Sequence, residues 1–209
     1  RDTEQVLRLA DKLRQSFEIY IHFDTKLKLS NQEKEALKEK NIHWYQCVEV
    51  NWGGWGISAA TIVLMREALK NPQITYVHIL SGQDWPVADP ASIYAFYENN
   101  TKLYMLCDAA KGMKKSGEPI ILWQQYYFNY DKIARRTTLC HVNKYKKLGI
   151  DLEIYQGPNW MDLPRDAVEY LLEYFAGHEN IQKLFMTGFC PDEFWVQTIL
   201  YNSPDRERI

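Results

Sequence analysis

The sequence predicts an α/β fold, a single domain in which a sheet carries helices on both faces. Two observations predict it. Over residues 1–108, stretches with strand patterning alternate regularly with stretches of helical spacing. Within that alternation, Ile74–Leu80 is a nearly continuous apolar run, which suits a parallel strand buried on both faces. Sheets of this kind bind ligands beyond the carboxyl ends of their strands. Asp24, the Trp52–Gly56 turn and the Ser81–Asp84 turn fall at such ends.

In chain order, Val6, Leu9, Ala10, Leu13 and Phe17 trace an apolar stripe at helical spacing. Glu18–Phe23 alternates and is rich in β-formers, a strand that ends at Asp24. Ser30-x-x-Glu33 is a capping-box pattern that opens a polar helix to about Glu39. Gln46–Val50 reads as a short strand leading into Asn51-Trp52-Gly53-Gly54-Trp55-Gly56, and Ile57–Leu69 as a helix closed by Asn71-Pro72. After the strand at Ile74–Leu80, Asp89-Pro90 caps a helix through Tyr97, and Lys102–Cys107 forms a strand. Lys111–Gly117 reads as a loop, while the aromatic stretch Ile120–Tyr130 suits a strand or a helix. Leu152–Gln156 is a further strand, followed by the turn Gly157-Pro158-Asn159-Trp160. A helix from Pro164 to Phe175 should bury Val168, Leu171, Leu172 and Phe175 and end at Gly177. Pro191 then suits a first helical turn, with Asp192 and Glu193 where the helix dipole favours negative charge.

At 209 residues the chain is long enough to bury a large core. Its 25 basic and 27 acidic residues leave no strong field, which disfavours nucleic acid as a partner. Cys47, Cys107, Cys140 and Cys190 are widely spaced and form no C-x-x-C pair, which argues against a zinc site or a disulfide framework. No apolar run approaches the roughly 20 residues of a membrane span. The first residue is Arg1 rather than Met, which leaves room for a removed targeting segment. Aromatic residues are abundant, with 7 Trp, 14 Tyr and 8 Phe. Sugar C–H faces pack on such rings, but a large core uses the same side chains.

Several chemistries are absent. The chain has no G-x-G-x-x-G, Walker loop, G-x-S-x-G or H-E-x-x-H. His22, His43, His78, His141 and His178 show no ligand spacing, and His22 and His78, inside strands, read as core histidines. No Asp-x-Asp is present to hold a divalent ion against a diphosphate. Arg135, Arg136, Lys144, Lys146 and Lys147 form the one basic cluster, which is more often a solvated face than a site.

Five motifs occur in one order: Ile21-His22-Phe23-Asp24-Thr25-Lys26, the Trp-Gly turn with its helix, His78-Ile79-Leu80-Ser81-Gly82-Gln83-Asp84-Trp85-Pro86, Gly157-Pro158-Asn159-Trp160 and Pro191-Asp192-Glu193. Each alone is weak, but the series spans nearly the whole chain. It resembles the core-2/I-branching enzyme family (glycosyltransferase family 14), which includes β-1,6-N-acetylglucosaminyltransferases and peptide xylosyltransferases, and it is similar to a bacterial type of member.

The resemblance implies a GT-A-like, Rossmann-type sheet and an inverting, metal-independent transfer. The donor would be a UDP-sugar, a co-substrate rather than a cofactor, carrying N-acetylglucosamine or xylose. The acceptor would be a hydroxyl of a glycan or polysaccharide. Residues 1–108 would form the nucleotide-sugar-binding half and residues 109–209 the acceptor-binding and catalytic half. Glu193 matches the family's general base, and Asp24 matches the aspartate at the nucleotide. Ser81, Gly82 and Asp84 would line the donor site, and Trp160, Asp192 and Trp55 would face the substrate. Each position also has an ordinary structural reading: a loop start for Asp24, an Asx turn for Asp84, an acidic helix start for Glu193 and a core ring for Trp160.

The family pattern also implies one more strand before Arg1 and basic leaving-group stabilisers beyond Ile209, so the chain is expected to be incomplete at both ends. Arg135 and Arg136 are substitutes for those stabilisers. Localisation follows the source: cytoplasmic or peripheral at the cytoplasmic membrane for a bacterial member, the Golgi membrane for eukaryotic relatives. Two other function classes remain: a non-catalytic glycan- or nucleotide-sugar-binding domain on the same fold, and a glycosidase pairing Glu193 with Asp84 across a scissile bond.

Overall fold

A computed structural model describes residues 2–109 and 147–209, together with the backbone of four short strands between them. The elements in order are α1 (Thr3–Leu13), β1 (Tyr20–His22), α2 (Asn31–Glu39), β2 (His43–Tyr45), α3 (Gly56–Leu69), β3 (Tyr76–Ile79), α4 (Pro90–Tyr97), β4 (Tyr104–Met105) and β5 (Asp108–Ala109). Then come β6 (Lys114–Lys115), β7 (Glu118–Pro119), β8 (Tyr126–Phe128), β9 (Thr138–His141), β10 (Tyr155–Gln156), β11 (Met161–Pro164), α5 (Arg165–Gly177), α6 (Glu179–Met186) and α7 (Trp195–Tyr201). The mixture of helices and small sheets is that of a single α/β domain.

Local chemistry sets the helix starts. Asp2 accepts from the Gln5 amide at α1, and Asp89 accepts from the Ala91 amide at α4, where Pro90 needs no partner. Ser30 and Glu33 exchange both bonds of the capping box at α2. The helix expected from Pro164 begins one residue later, and Val168, Leu171, Leu172 and Phe175 are all buried as expected. At the far end of α3, the Arg165 guanidinium donates to the carbonyls of Leu69, Asn71 and Ile74, which meets acceptors that a helix end leaves open.

The strands differ more from expectation. β1 and β2 pair in parallel, Tyr20 opposite His43 and His22 opposite Tyr45. The second strand is therefore His43–Tyr45 rather than Gln46–Val50. The amides after Tyr45 go to side chains instead of a ladder: those of Cys47 and Val48 to His22 Nε2, and that of Val50 to the Asp24 carboxylate. β3 is not a buried parallel strand. It pairs antiparallel with β11, Met161 opposite Ile79, and β11 also pairs antiparallel with β4. β11 sits centrally in this sheet although Met-Asp-Leu-Pro has little strand character. Pro164 occupies its last position, where chain direction changes into α5. The strand expected at Leu152–Gln156 is only β10, paired antiparallel with β5. The stretches Lys111–Gly117 and Ile120–Tyr130 and the Arg135–Arg136 pair fall largely or wholly outside the described residues.

Two apolar clusters form. The smaller joins Ala10, Phe23, Leu29, Leu37 and Ile42. The larger gathers Trp55, Ile62, Met65 and Leu103 with α5, α6 and α7. At its centre lies α7, with Trp195, Val196, Gln197, Thr198, Ile199 and Leu200 all buried. A helix enclosed on every side must find partners for its polar side chains. Thr198 Oγ1 accepts from the Tyr155 amide at 3.1 Å and donates to the Tyr155 carbonyl at 3.2 Å.

Thr198→Val keeps the shape and leaves the buried Tyr155 amide without that acceptor. The expected cost is about 1–3 kcal/mol, read as a melting point lower by roughly 2–4 °C per kcal/mol in a chain of this size. An unchanged melting point would show that Tyr155 finds other partners.

Candidate functional site

The Pro-Asp-Glu stretch is not the first turn of α7. Pro191–Glu193 forms a separate 3-10 turn, and Phe194, with φ −132°, breaks it from the helix that begins at Trp195. The reason is packing: Phe194 is buried in the core, and Cys190 enters the turn in the left-handed region at φ 48°. Glu193 is thus the exposed residue of a turn just ahead of a helix buried from Trp195 to Leu200. The turn is gripped from two sides. The Cys190 amide donates to the Gly53 carbonyl at 2.9 Å, and the Gly157 amide donates to the Glu193 carbonyl at 2.9 Å.

Gly53 belongs to the Trp-Gly turn. Its φ of +78° suits glycine, and the Phe189 ring occupies the space that a Cβ would need. Trp55, expected to face the substrate, lies in the core. It is 8% exposed, stacks on Phe175 and meets Trp195 edge-on. The exposed ring of this turn is Trp52, 67% accessible and edge-on to Phe189.

On the other side, Asp84 Oδ2 accepts from the Ser81 amide at 2.6 Å and from the Trp160 indole at 2.7 Å. The structure therefore joins three of the expected site residues, Ser81, Asp84 and Trp160, by direct bonds. Trp160 and Trp85 are each 53% exposed. Gly82 backs onto α1, because Val6 lies where its Cβ would be. The segment carrying Trp160 is itself fixed: Gln197 Nε2 donates to the Pro158 carbonyl at 3.0 Å, and the Leu106 carbonyl fills the space beside Gly157.

Asp24 terminates β1. Its carboxylate accepts from the amides of Lys26 at 3.0 Å and Val50 at 3.4 Å, and Lys26 Nζ stands 3.5 Å away. Burial pushes its pKa up, but the two amides and the ammonium outweigh that and hold it below the ordinary carboxylate value. Lys26 also donates to the Val50 carbonyl and the Asn51 side chain, which ties Asp24 to the Trp-Gly turn. His22 accepts two amides through Nε2, so its proton resides on Nδ1, and burial holds its pKa below the usual histidine value against the pull of Asp24. His78, the other histidine expected inside a strand, lies in β3. It meets Asp162 at 2.8 Å, and Tyr97 donates to the other oxygen of the same carboxylate.

Lys26 stood inside a motif stretch, and Gln197 four residues beyond one, without a role. Nothing in a linear reading marks a lysine as a loop tie. Gln197 carried one usable signal, an amide in a largely apolar helical run. Among the described residues, no three His, Cys, Asp or Glu side chains converge as a metal site would need.

Asp192, beside Glu193, is largely buried, and its pKa is pushed up to about 6 by burial, with the neighbouring Glu193 charge adding to it. The protonated form is therefore favoured in the fold. This contribution is complete below pH about 4, the unfolded value, and is lost as pH rises through 6. Asp192→Asn should raise the melting point by a few degrees at pH 8 and leave it unchanged at pH 4. Equal effects at both pH values would remove burial of the charge as the cause.

A search of curated proteins found no match. The family model of the Core-2/I-Branching enzyme matches residues 2–208, nearly the whole chain. With that match standing beside a rigidly held Pro-Asp-Glu turn and a tryptophan-lined surface, the chain belongs to the Core-2/I-Branching enzyme family, whose members are glycosyltransferases acting on glycans.

Proposed function

We propose that the chain transfers N-acetylglucosamine or xylose from a UDP-sugar to a glycan hydroxyl, with inversion and without a metal, and that Glu193 is the general base. One observation carries this reading. Glu193 is an exposed carboxylate on a turn held by backbone bonds at both ends, from Cys190 to Gly53 and from Gly157 to Glu193. A base needs that fixed placement, because proton transfer requires the acceptor hydroxyl within hydrogen-bond reach.

In this reading Glu193 takes the proton of the acceptor hydroxyl as its oxygen attacks the anomeric carbon. The bond from that carbon to the diphosphate oxygen breaks on the opposite face, and UDP leaves with the electron pair. Trp160 offers a ring for a sugar face, oriented through its indole N–H by Asp84. Asp84, occupied with Ser81 and Trp160, serves the architecture of the donor turn rather than acting as a second glycosidase carboxylate. Asp24 retains a partly exposed carboxylate able to accept from uracil or ribose. Metal independence rests on the sequence, which lacks an Asp-x-Asp at a strand end. Among the described residues no helix is long and apolar enough to cross a membrane.

The test of the base is Glu193→Gln, assayed by UDP release from UDP-N-acetylglucosamine and UDP-xylose with candidate glycans. Turnover should fall by about 10²–10⁴-fold while UDP affinity stays the same. Near-normal turnover would end the assignment. Cleavage of a glycan by water with no UDP-sugar present, or binding without turnover in the wild type, would end the transferase reading.

Calorimetric titration with UDP tests the nucleotide site. Affinity should be unaffected by EDTA, and Asp24→Ala should weaken it by about 1.5–3 kcal/mol, the range for bonds to a charged group. Loss of binding on chelation would overturn metal independence, and unchanged affinity in a folded Asp24→Ala would return Asp24 to a loop role.

A further inference from the structure

We propose that Gln197 is a positioning residue for the transfer: its side-chain amide holds the turn carrying Trp160 in register with the turn carrying Glu193. The inference rests on the reading of Glu193 as base and Trp160 as acceptor ring.

Gln197 lies four residues after Glu193, in the first turn of α7, and is 0% exposed. Its Nε2 donates to the Pro158 carbonyl at 3.0 Å. One residue earlier, the Gly157 amide donates to the Glu193 carbonyl at 2.9 Å. Two successive residues of one segment are thus tied to the two sides of the break at Phe194. The Leu106 carbonyl presses on Gly157 so closely that no Cβ fits. The neighbouring Cys107 thiol, pushed up to about 12 by burial and so kept protonated, reaches the Gln197 backbone carbonyl at 4.0 Å. Trp160 follows two residues after Pro158 and is anchored beyond by Asp84. The ring therefore has one anchor on the donor turn and one on the base-bearing stretch.

A second observation separates this role from packing. Gln197 Oε1 is buried with no hydrogen-bond partner among the described residues. A methionine or leucine would fill nearly the same volume without burying that oxygen unsatisfied, so packing alone favours the apolar residue. The amide contributes its Nε2 bond to Pro158, and that bond controls geometry. Stability and turnover should consequently respond in opposite directions when it is removed.

The experiment uses the full chain with Gln197→Met, and Gln197→Leu as a second shape. Melting temperature, UDP affinity, hydrogen exchange over residues 157–163, and kcat and KM with UDP-N-acetylglucosamine or UDP-xylose are measured. Melting temperature should hold or rise, and UDP affinity should stay within about twofold. Exchange at the Gly157 amide should quicken at least tenfold. Turnover should drop by roughly 10–100-fold, chiefly in kcat, since a displacement of about 1 Å can cost 10²-fold. Unchanged exchange with normal kcat overturns the proposal. So does a lowered melting point with normal kcat, or failure of both variants to fold, since either makes the amide structural. If the wild type turns over no UDP-sugar, the Glu193 reading fails, and the exchange measurement still decides whether Gln197 clamps the turn.

Discussion

A helix enclosed on all sides draws its hydroxyls and amide groups to whatever backbone lies near, and that constraint organises the part of the molecule around Glu193. In α7 the partners of Thr198 and Gln197 are backbone groups of Tyr155 and Pro158, and Asn202 at its end takes the Glu153 carbonyl. The chain from 153 to 158 is therefore laid along the helix, and the bonds at Tyr155 lie in the low-dielectric interior, where they are hard to exchange for water. From there the chain enters β11, central in its sheet, so the segment is fixed at both ends. Trp160 sits between these two restraints, and the Glu193 turn is the lead-in to the same helix.

The sequence made helix positions legible because the signals lie within a few residues. Ser30 and Glu33, Asp89 and Pro90, and the stripe from Val168 to Phe175 each specify their element without help from distant chain. Strands were harder. β2 was displaced because Val48 and Val50 have strand character, yet their amides serve His22 and Asp24, acceptors more than twenty residues away. β11 was missed because its place comes from neighbours on both sides and not from Met, Asp, Leu and Pro. Periodicity also identified Ile74–Leu80 as a strand but could not give its direction or its degree of burial.

Something similar holds for the site. Glu193, Asp24 and Asp84 were singled out as candidates through short motifs, since the turn chemistry that presents them is encoded beside them. Their relation to one another was not readable. The bond between Asp84 and Trp160 spans 76 residues, and the tie between Lys26 and Asn51 spans 25. Trp52 and Trp55 stand three positions apart in one turn, and only the packing of α3 on Phe175 and Trp195 decides which ring goes inward.

The bond from Cys190 to Gly53 has a consequence for how such enzymes can be recombined. The left-handed Cys190, the positive φ of Gly53 and the Phe189 ring against that glycine form one interlocked joint built from two remote pieces of chain. A chimera that imports a Trp-Gly loop from a relative while keeping the resident Phe-Cys-Pro turn would bring two surfaces cut for different mates. The inheritable module is the pair of loops together, and grafts across the family will succeed when both halves travel as one.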